Sequence, residues 1–308
     1  MIHSLRHFAL GVPDLKVGSD FYTTFGLDQR EAGGDELFFR CEGRDHDEVV
    51  LIETGENRKF NHIAFGADAA GLDRIVQTLT DRGIDRVAPP KADGPDGVWF
   101  RDPDGNLVNV QLADQHPKTK SEPPLVNHPG STTRINQRGC PLPTLAARPR
   151  RMGHLILFTP DVTRQLQFYS EVLGMKVSDT IVDEYGAFLR VAGDSDHHVL
   201  GLLHSTAPGF HHASFEVASL DEAALGAGRI RGKGFNHAWG PGRHAIGSNY
   251  FHYFRDPWNG MAEYFCDMDH IARDMDWMPA DWTKKDGMFL WSADGPPPPD
   301  FGKNYEAY

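Results

Sequence analysis

The chain of 308 residues is long enough for two domains, each large enough for its own core. Its 40% hydrophobic and 24% charged residues are ordinary for a globular protein. A net charge of −12 argues against nucleic acid and anionic membranes as partners. No run near Met1 resembles a signal peptide, no stretch has the roughly 20 apolar residues of a membrane span, and the three cysteines are widely spaced. We therefore expect a soluble cytoplasmic protein.

The second half of the chain repeats the first. Residues 7–14 return as 154–161, residues 61–65 return as 211–215, and residues 99–105 return as 253–260. The repeat aligns His7 with His154, His62 with His212, and Trp99 with Tyr253. Because these landmarks recur in the same order, we interpret them as an internal duplication.

Each half also contains two related units of about 50 to 60 residues, in which an apolar strand is followed by a helix and several short strands. The apolar spacing predicts helices over residues 72–80 and 162–173, the latter ending at Gly174. It predicts strands over residues 8–12, 49–53 and 199–203. The prediction is an α+β fold of two domains, each made of two βαβββ modules.

The predicted boundaries follow from where this pattern stops. The first domain spans residues 1–115, and a linker over 116–150 holds seven prolines. The second domain spans 151–268 and carries the chemistry, and a tail covers 269–308. With Trp277, Trp282 and Trp291, this tail is expected to pack over the second domain or a neighbouring subunit.

Residues 242–263 form the most informative stretch. The aromatic residues from Tyr250 to Phe254 predict a strand, residues 256–260 predict a turn, and residues 261–265 predict a returning strand. Glu263 lies on that returning strand among apolar neighbours. A carboxylate there is costly to bury unless it is paired, hydrogen-bonded or bound to a metal.

The repeat places this glutamate beside two histidines. His154, His212 and Glu263 occupy corresponding ends of related strands, and two imidazoles with one carboxylate are typical of non-heme Fe(II) sites. The first half offers His7, His62 and Asn109 at the same places, so it lacks the balancing charge. A single histidine opening a strand is more often a satisfied core residue, but the set of three predicts one metal site, in the second half.

The same stretch carries a family resemblance. It resembles the signature of the type I extradiol ring-cleavage dioxygenases of the vicinal oxygen chelate superfamily, with two departures at His252 and Gly260. Further similar motifs lie around His154, His198 and His212, and the resemblance spans residues 3–266. The residues that match the signature are Gly242, His244, Tyr253, Asp256, Pro257 and Glu263.

The resemblance implies both a fold and a function. The fold would be that of the glyoxalase, bleomycin-resistance and dioxygenase proteins. The function would be meta cleavage of a catecholic substrate with insertion of both atoms of O2, in aromatic compound degradation. Fe(II), or Mn(II), would be held by His154, His212 and Glu263, and a homo-oligomer is expected.

The resemblance also implies roles for three further residues. His198 would act as acid and base at the reacting oxygen, because an imidazole titrates near neutral pH. Tyr253 would hydrogen-bond or deprotonate a substrate hydroxyl, and His244 would hydrogen-bond the substrate oxygen. His211 is not expected to be a ligand, because adjacent strand residues face opposite sides of a sheet and only one of His211 and His212 can face the metal.

Several alternatives stay open at this point. His198 could be a surface loop residue, and the chain could be a glyoxalase-like isomerase, an epimerase or a non-enzymatic drug-binding protein of the same superfamily. Trp239 and the tail tryptophans indicate an aromatic, largely apolar pocket. Arg243 would pair with a nearby acid or with a substrate carboxylate, and we favour the acid.

Overall fold

A computed structural model describes residues 1–30, 34–91, 96–115, 122, 125–140, 146–273 and 275–307. Much of the predicted linker, namely 116–121, 123–124 and 141–145, lies outside the described residues. Over the ranges that are described, no helix is long and apolar enough to cross a membrane.

The first half of the chain holds two helices and seven strands within the described residues. In chain order these are β1 (Ile2–Val12), α1 (Leu15–Phe25), β2 (Asp28–Arg30), β3 (Glu36–Arg40), β4 (Val49–Glu53), β5 (Lys59–Ala67), α2 (Ala69–Asp81), β6 (Val98–Arg101) and β7 (Leu107–Leu112). The second module has two strands after its helix and an isolated bridge between Arg86 and Phe100 where a third would lie.

The second half continues the same order. Its elements are β8 (Arg151–Thr159), α3 (Val162–Leu173), β9 (Lys176–Ile181), β10 (Gly186–Arg190), β11 (Ser195–Asp196), β12 (Leu200–His204), β13 (Gly209–Glu216), α4 (Leu220–Gly232), β14 (His237–Arg243), β15 (Tyr250–Arg255) and β16 (Met261–Cys266). The tail adds β17 (His270–Ile271), β18 (Ala280–Trp282), α5 (Lys284–Gly287) and β19 (Trp291–Ser292). The predicted α+β architecture of repeated βαβββ modules is confirmed.

Local sequence explains where the module helices begin and end. The Asp161 carboxylate accepts a hydrogen bond from the Arg164 backbone N–H, which caps the start of α3. Gly174 ends the same helix at φ 72°, in the left-handed region that glycine adopts without steric cost. The predicted span of α3 is therefore confirmed, whereas α2 is three residues longer at its start than predicted, since Asp68 caps it.

Two large sheets organise the molecule. The first runs β2-β3-β4-β1-β5-β7-β6, and the second runs β18-β9-β10-β12-β8-β13-β16-β15-β14-β19. In the second sheet β8, β13 and β16 are central neighbours. These three strands carry the predicted metal ligands, so the ligand positions lie in the best-supported part of the sheet.

One buried apolar cluster extends through both halves. The Phe25 ring of α1 stacks on the Tyr264 ring of β16, with 4.2 Å between centroids, and Phe8 of β1 stacks on Phe210 of β13 at 4.9 Å. The two halves therefore share apolar packing, whereas the sequence had suggested a separate core for each. Aromatic pairs of this kind contribute about 0.5–1.5 kcal/mol beyond the area they bury.

Candidate metal centre

The strand register brings the predicted ligands onto one face of the second sheet. Ser214 on β13 lies opposite His154 on β8 and opposite Glu263 on β16, and Glu263 in turn lies opposite Tyr253 on β15. His212 is two residues before Ser214 and so faces the same side. Side chains from four adjacent strands therefore converge.

The donor atoms of the three predicted ligands lie close together. Nε2 of His154 and Nε2 of His212 are each 3.2 Å from Oε2 of Glu263. One ligand atom from each residue lies within 4.8 Å of the others. All three residues are buried, and Glu263 has no exposed surface.

The negative charge of Glu263 is stabilised by His154 and His212. Burial by itself raises the pKa of this carboxyl, but the hydrogen bond with His154 and the favourable charge interactions with His154 and His212 outweigh burial and bring the pKa well below its usual range. Burial lowers the pKa of His212 despite the opposing effect of Glu263. Neutral imidazoles beside an anionic carboxylate are the protonation states that a divalent metal requires.

The donor set fits a divalent metal ion. Nε2 of His212 approaches Glu263 without the geometry of a hydrogen bond and has no hydrogen-bond partner among the described residues. An unpaired nitrogen aimed at a buried carboxylate is costly in an apolar interior. A metal ion bound by both residues would remove that cost, and two nitrogens with one oxygen suit Fe(II) or Mn(II).

His244 and Tyr253 form a hydrogen-bonded pair at the edge of the same cluster. Nδ1 of His244 donates to the Met288 carbonyl at 2.5 Å, so its Nε2 accepts from the Tyr253 hydroxyl at 2.9 Å. Nε2 of His244 is also 3.8 Å from Oε1 of Glu263. Burial and then the Glu263 charge raise the pKa of Tyr253, which keeps the phenol protonated.

His198 is part of the cluster and is not a surface loop residue. It precedes β12, is 4% exposed, and its ring centroid lies 4.4 Å from that of His154 and 5.0 Å from that of Phe188. Burial, followed by the neighbouring histidines, lowers its pKa well below the ordinary value. The structure thus brings all six predicted site residues together.

The group that could hold a metal ion contains His212 and not His211, but the expectation that only one of these adjacent histidines faces the site is wrong. The pairing of β13 with β8 shifts register between Phe210 and His212, which makes His211 the extra residue of a β-bulge. A bulge breaks the strict alternation of side chains, so His211 and His212 line the same cavity. Their Nδ1 atoms are 2.5 Å apart.

A small cavity lies over these residues. Its described lining contains no lysine, arginine, aspartate or glutamate, and Phe301 and Met288 of the tail complete its wall. The apolar side chains that line it are Ile156, Ile181, Phe188, Leu203, Ile246, Met288 and Phe301.

The expected contribution of tryptophans to the pocket needs correction, although Phe188, Tyr253 and Phe301 line it. Trp239 packs behind the cavity against Phe251 and Phe301 and does not line it. The pocket is apolar mainly because of aliphatic side chains. Arg243 pairs with Asp267 at 2.9 Å, which is the acidic partner that we favoured.

Several contributors to the site could not be found from sequence. The Met288 carbonyl, the Phe301 ring and the Asp179 carboxylate lie 44, 90 and 18 residues from the partners they contact, which are His244, His211 and His197. No local motif marks such pairs. The one signal in the sequence is that the histidines at 198 and 212 are each preceded by another histidine, at 197 and 211.

Comparison with known proteins agrees with this geometry. Residues 4–110 and 151–264 match the model of the Glyoxalase/Bleomycin resistance protein/Dioxygenase superfamily. The chain is 38% identical over 302 residues to "Metapyrocatechase 2" of Cupriavidus necator, covering 96% of this chain and 90% of that protein. It is 24% identical to the "Iron-dependent extradiol dioxygenase" of Rhodococcus jostii (strain RHA1), covering 81% and 79%.

A solved structure extends the likeness to three dimensions. The Mn(II)-bound glyoxalase from Novosphingobium aromaticivorans is 25% identical, with a TM-score of 0.78 over 97% of this chain and 93% of that one. The two family matches cover both repeats, and the relative from Cupriavidus necator covers nearly the whole chain. This chain therefore belongs to the Glyoxalase/Bleomycin resistance protein/Dioxygenase superfamily and, within it, to the extradiol ring-cleavage dioxygenases.

Proposed function

We propose that this protein is an Fe(II)-dependent extradiol dioxygenase that opens a catechol ring beside the diol and inserts both atoms of O2, in the degradation of aromatic compounds. The observation that carries the proposal is the convergence of His154, His212 and Glu263 beneath an apolar cavity. The iron named for the Rhodococcus jostii relative supports Fe(II), and the Mn(II) of the similar solved structure makes manganese the other suitable ion.

The metal would supply a single centre that holds a catechol and O2 side by side and makes the catechol hydroxyls more acidic. His154 and His212 line the cavity, so a metal held by them and by Glu263 would be reached from it. The apolar lining excludes bulk water from the reacting groups.

Tyr253 would orient one substrate hydroxyl. Because His244 donates from Nδ1 to the Met288 carbonyl, its Nε2 accepts the Tyr253 proton. The lone pairs of the Tyr253 oxygen then face the cavity and can accept a hydrogen bond from the substrate. Of the two roles expected for Tyr253, this geometry supports hydrogen bonding over deprotonation.

His198 would be the proton carrier. It lines the cavity, its ring lies beside that of His154, and its lowered pKa keeps it neutral before reaction. A neutral imidazole can accept a proton from the substrate and later return it to the reacting oxygen.

The cavity lining also indicates which catechols fit. A carboxylate on the ring would be buried against aliphatic side chains with no cationic partner among the described lining residues, which is unfavourable. An alkyl or aryl substituent would instead gain about 0.8 kcal/mol for each CH2 buried. We therefore propose catechols with apolar substituents as substrates.

A second candidate is supported by the name of the Mn(II)-bound relative, a glyoxalase. An isomerase of that kind would use the same metal ligands but would not need O2. A drug-binding protein of the superfamily would need no metal ligands. Oxygen consumption and metal content separate the three possibilities.

The test is oxygen uptake by protein loaded anaerobically with Fe(II), measured across catechols with alkyl, aryl and carboxylate substituents. We expect one O2 consumed per yellow ring-fission product, with the apolar catechols preferred. The His212→Ala variant should contain no stoichiometric iron and show no uptake, whereas the matched His62→Ala variant of the first half should retain both. Iron retained by His212→Ala, or product formed without O2, would reject the proposal.

A further inference from the structure

Two histidine pairs flank the site, and the proposed function uses only one member of each. His197 precedes His198, and His211 precedes His212. His197 is fully buried, and His211 is 2% exposed. Each contacts its neighbour through Nδ1, at 3.1 Å in the first pair and 2.5 Å in the second. A buried imidazole in such a position has two nitrogens to satisfy.

The outer nitrogen of each pair faces an acceptor that cannot donate. Nε2 of His211 donates to the Phe301 carbonyl at 2.8 Å. Nε2 of His197 donates to Oδ2 of Asp179 at 3.2 Å. Burial opposes the charge of Asp179, but the bond from His197 and those from Ala280 and Trp282 lower its pKa, so it is an anionic acceptor.

These acceptors determine where the remaining protons lie. A neutral imidazole that carries its proton on Nε2 has a bare Nδ1. Nδ1 of His197 therefore accepts, and His198 must donate from its own Nδ1. By the same reasoning, His212 donates from Nδ1 to His211. Both His198 and His212 are then left with a bare Nε2.

A bare Nε2 is what each role requires. His212 can bind a metal only through a nitrogen with a free lone pair, and its Nε2 is the atom that lies 3.2 Å from Glu263. His198 can accept a proton only at a bare nitrogen, and its Nε2 has no hydrogen-bond partner among the described residues. The opposite tautomer would place N–H groups at both points.

We infer that His197 and His211 are positioning residues that hold His198 and His212 in the Nδ1–H tautomer, and that the tail sets their own tautomers. The tail acts through the Phe301 carbonyl on one pair, and through Ala280 and Trp282, which hold Asp179, on the other. The inference assigns a role to the tail, which lies beyond both repeats. The roles of His198 and His212 rest on the proposed function, whereas the tautomers do not depend on that function.

The first test is nitrogen NMR of the full chain labelled with 15N-histidine, in the metal-free form and loaded with Zn(II) as a diamagnetic probe. His198 and His212 should carry the proton on Nδ1, and His197 and His211 on Nε2. An Nε2–H form of His198 or His212, or a doubly protonated His197, would overturn the inference. The expected tautomers in a chain without oxygen uptake would reject the dioxygenase and leave the inference standing.

The second test compares variants that keep or remove the acceptor at the Nδ1 position. The asparagine side chain places an oxygen near Nδ1 of histidine, whereas phenylalanine does not. His211→Phe should weaken metal binding about 10–100-fold, and His211→Asn by no more than about threefold. His197→Phe should lower kcat about 100-fold with metal content and KM changed less than about threefold, and His197→Asn should recover most of that loss.

The control is His204→Phe, which changes an exposed histidine at the end of β12 and should alter neither quantity. Circular dichroism reports whether each variant is folded. Equal behaviour of the asparagine and phenylalanine variants at either position would contradict the positioning role. The NMR measurement on the unaltered chain decides the tautomers even if a phenylalanine variant fails to fold.

Discussion

The two halves of the molecule place side chains in the same register, and yet, among the described residues, only the second half brings together a group that could hold a metal ion. In the first sheet, Ala64 lies opposite His7 and Asn109, and Asn109 lies opposite Trp99. In the second sheet, Ser214, His154, Glu263 and Tyr253 take the corresponding places. The backbone therefore places four side chains in the same arrangement in both sheets, and the two sites differ only in which side chains occupy these positions.

The two histidines of the first half hydrogen-bond to each other without a metal. His62 donates from Nδ1 to Asn61 at 2.8 Å, so its Nε2 accepts from Nε2 of His7 at 2.9 Å. In the second half, the equivalent Nε2 atoms of His154 and His212 point at Glu263 and not at each other. The Trp99 ring packs 4.9 Å from that of His62, and Asn109 carries no charge. The comparison teaches that a carboxylate at the position of Glu263, in place of the Asn109 amide, decides between a hydrogen-bonded histidine pair and a candidate metal site.

The largest expected difference comes from deleting the equivalent side chains. Glu263→Ala should lose stoichiometric metal and lower oxygen uptake by about 1000-fold or more, because the charge that balances a divalent ion is removed. Asn109→Ala should retain metal and at least about half the activity. Metal analysis and oxygen uptake on both variants check this. Metal loss in Asn109→Ala would show that the first half contributes to binding.

Metal removal should lower the free energy of unfolding, and this effect should depend on the ligands of the second half only. Metal at about 1000 times its dissociation constant should raise the free energy of unfolding by about 4 kcal/mol, since it binds the folded chain. The comparison is thermal unfolding of metal-free and metal-loaded protein. Glu263→Ala should show no such increase, and Asn109→Ala should show all of it. An increase that survives in Glu263→Ala would place the metal elsewhere.

Acid should destabilise the first half through its histidine pair. Burial lowers the pKa of His62 to about 4, below the ordinary value of 6.5, so the unfolded chain binds a proton that the folded chain refuses. Stability from this site is therefore complete above pH 6.5 and is lost as pH falls to about 4, by about 3 kcal/mol. Urea unfolding of metal-free protein at pH 7 and pH 4 should show less acid sensitivity in His62→Gln than in the unaltered chain. If both chains lose the same free energy of unfolding between pH 7 and pH 4, the histidine pair is already protonated in the folded state.

The smallest effect concerns the tail, which covers the second site. Phe301 contacts the Tyr253 ring at 5.1 Å between centroids and forms part of the cavity wall. Phe301→Ala should enlarge the cavity and shift the ratio of kcat/KM about tenfold toward catechols with longer apolar substituents. The His211 bond to the backbone carbonyl of residue 301 is retained in this variant. An unchanged ratio would show that the ring does not contact the substrate.

Much of the fold could be predicted from the sequence, because the internal repeat revealed the recurring strand and helix order of the modules. The span of α3, the strand over residues 49–53 and the turn before Glu263 agree with the structure, since each has a local signal such as a glycine cap or an Asn-Gly pair. The strand predicted over 199–203 is observed one residue later. The separate cores did not appear, because stacking of Phe25 on Tyr264 joins elements far apart in the chain.

The sequence by itself determined the chemistry that could occur: two imidazoles and a carboxylate at repeated positions, with an asparagine where the other half lacks the charge. Tertiary structure alone decided how those groups are held. A β-bulge turned His211 toward the cavity, and the tail brought Phe301 and Met288 to within hydrogen-bonding distance of residues 90 and 44 positions away. Such contacts join residues with no local pattern between them, so only the folded chain reveals which nitrogen of each histidine is free.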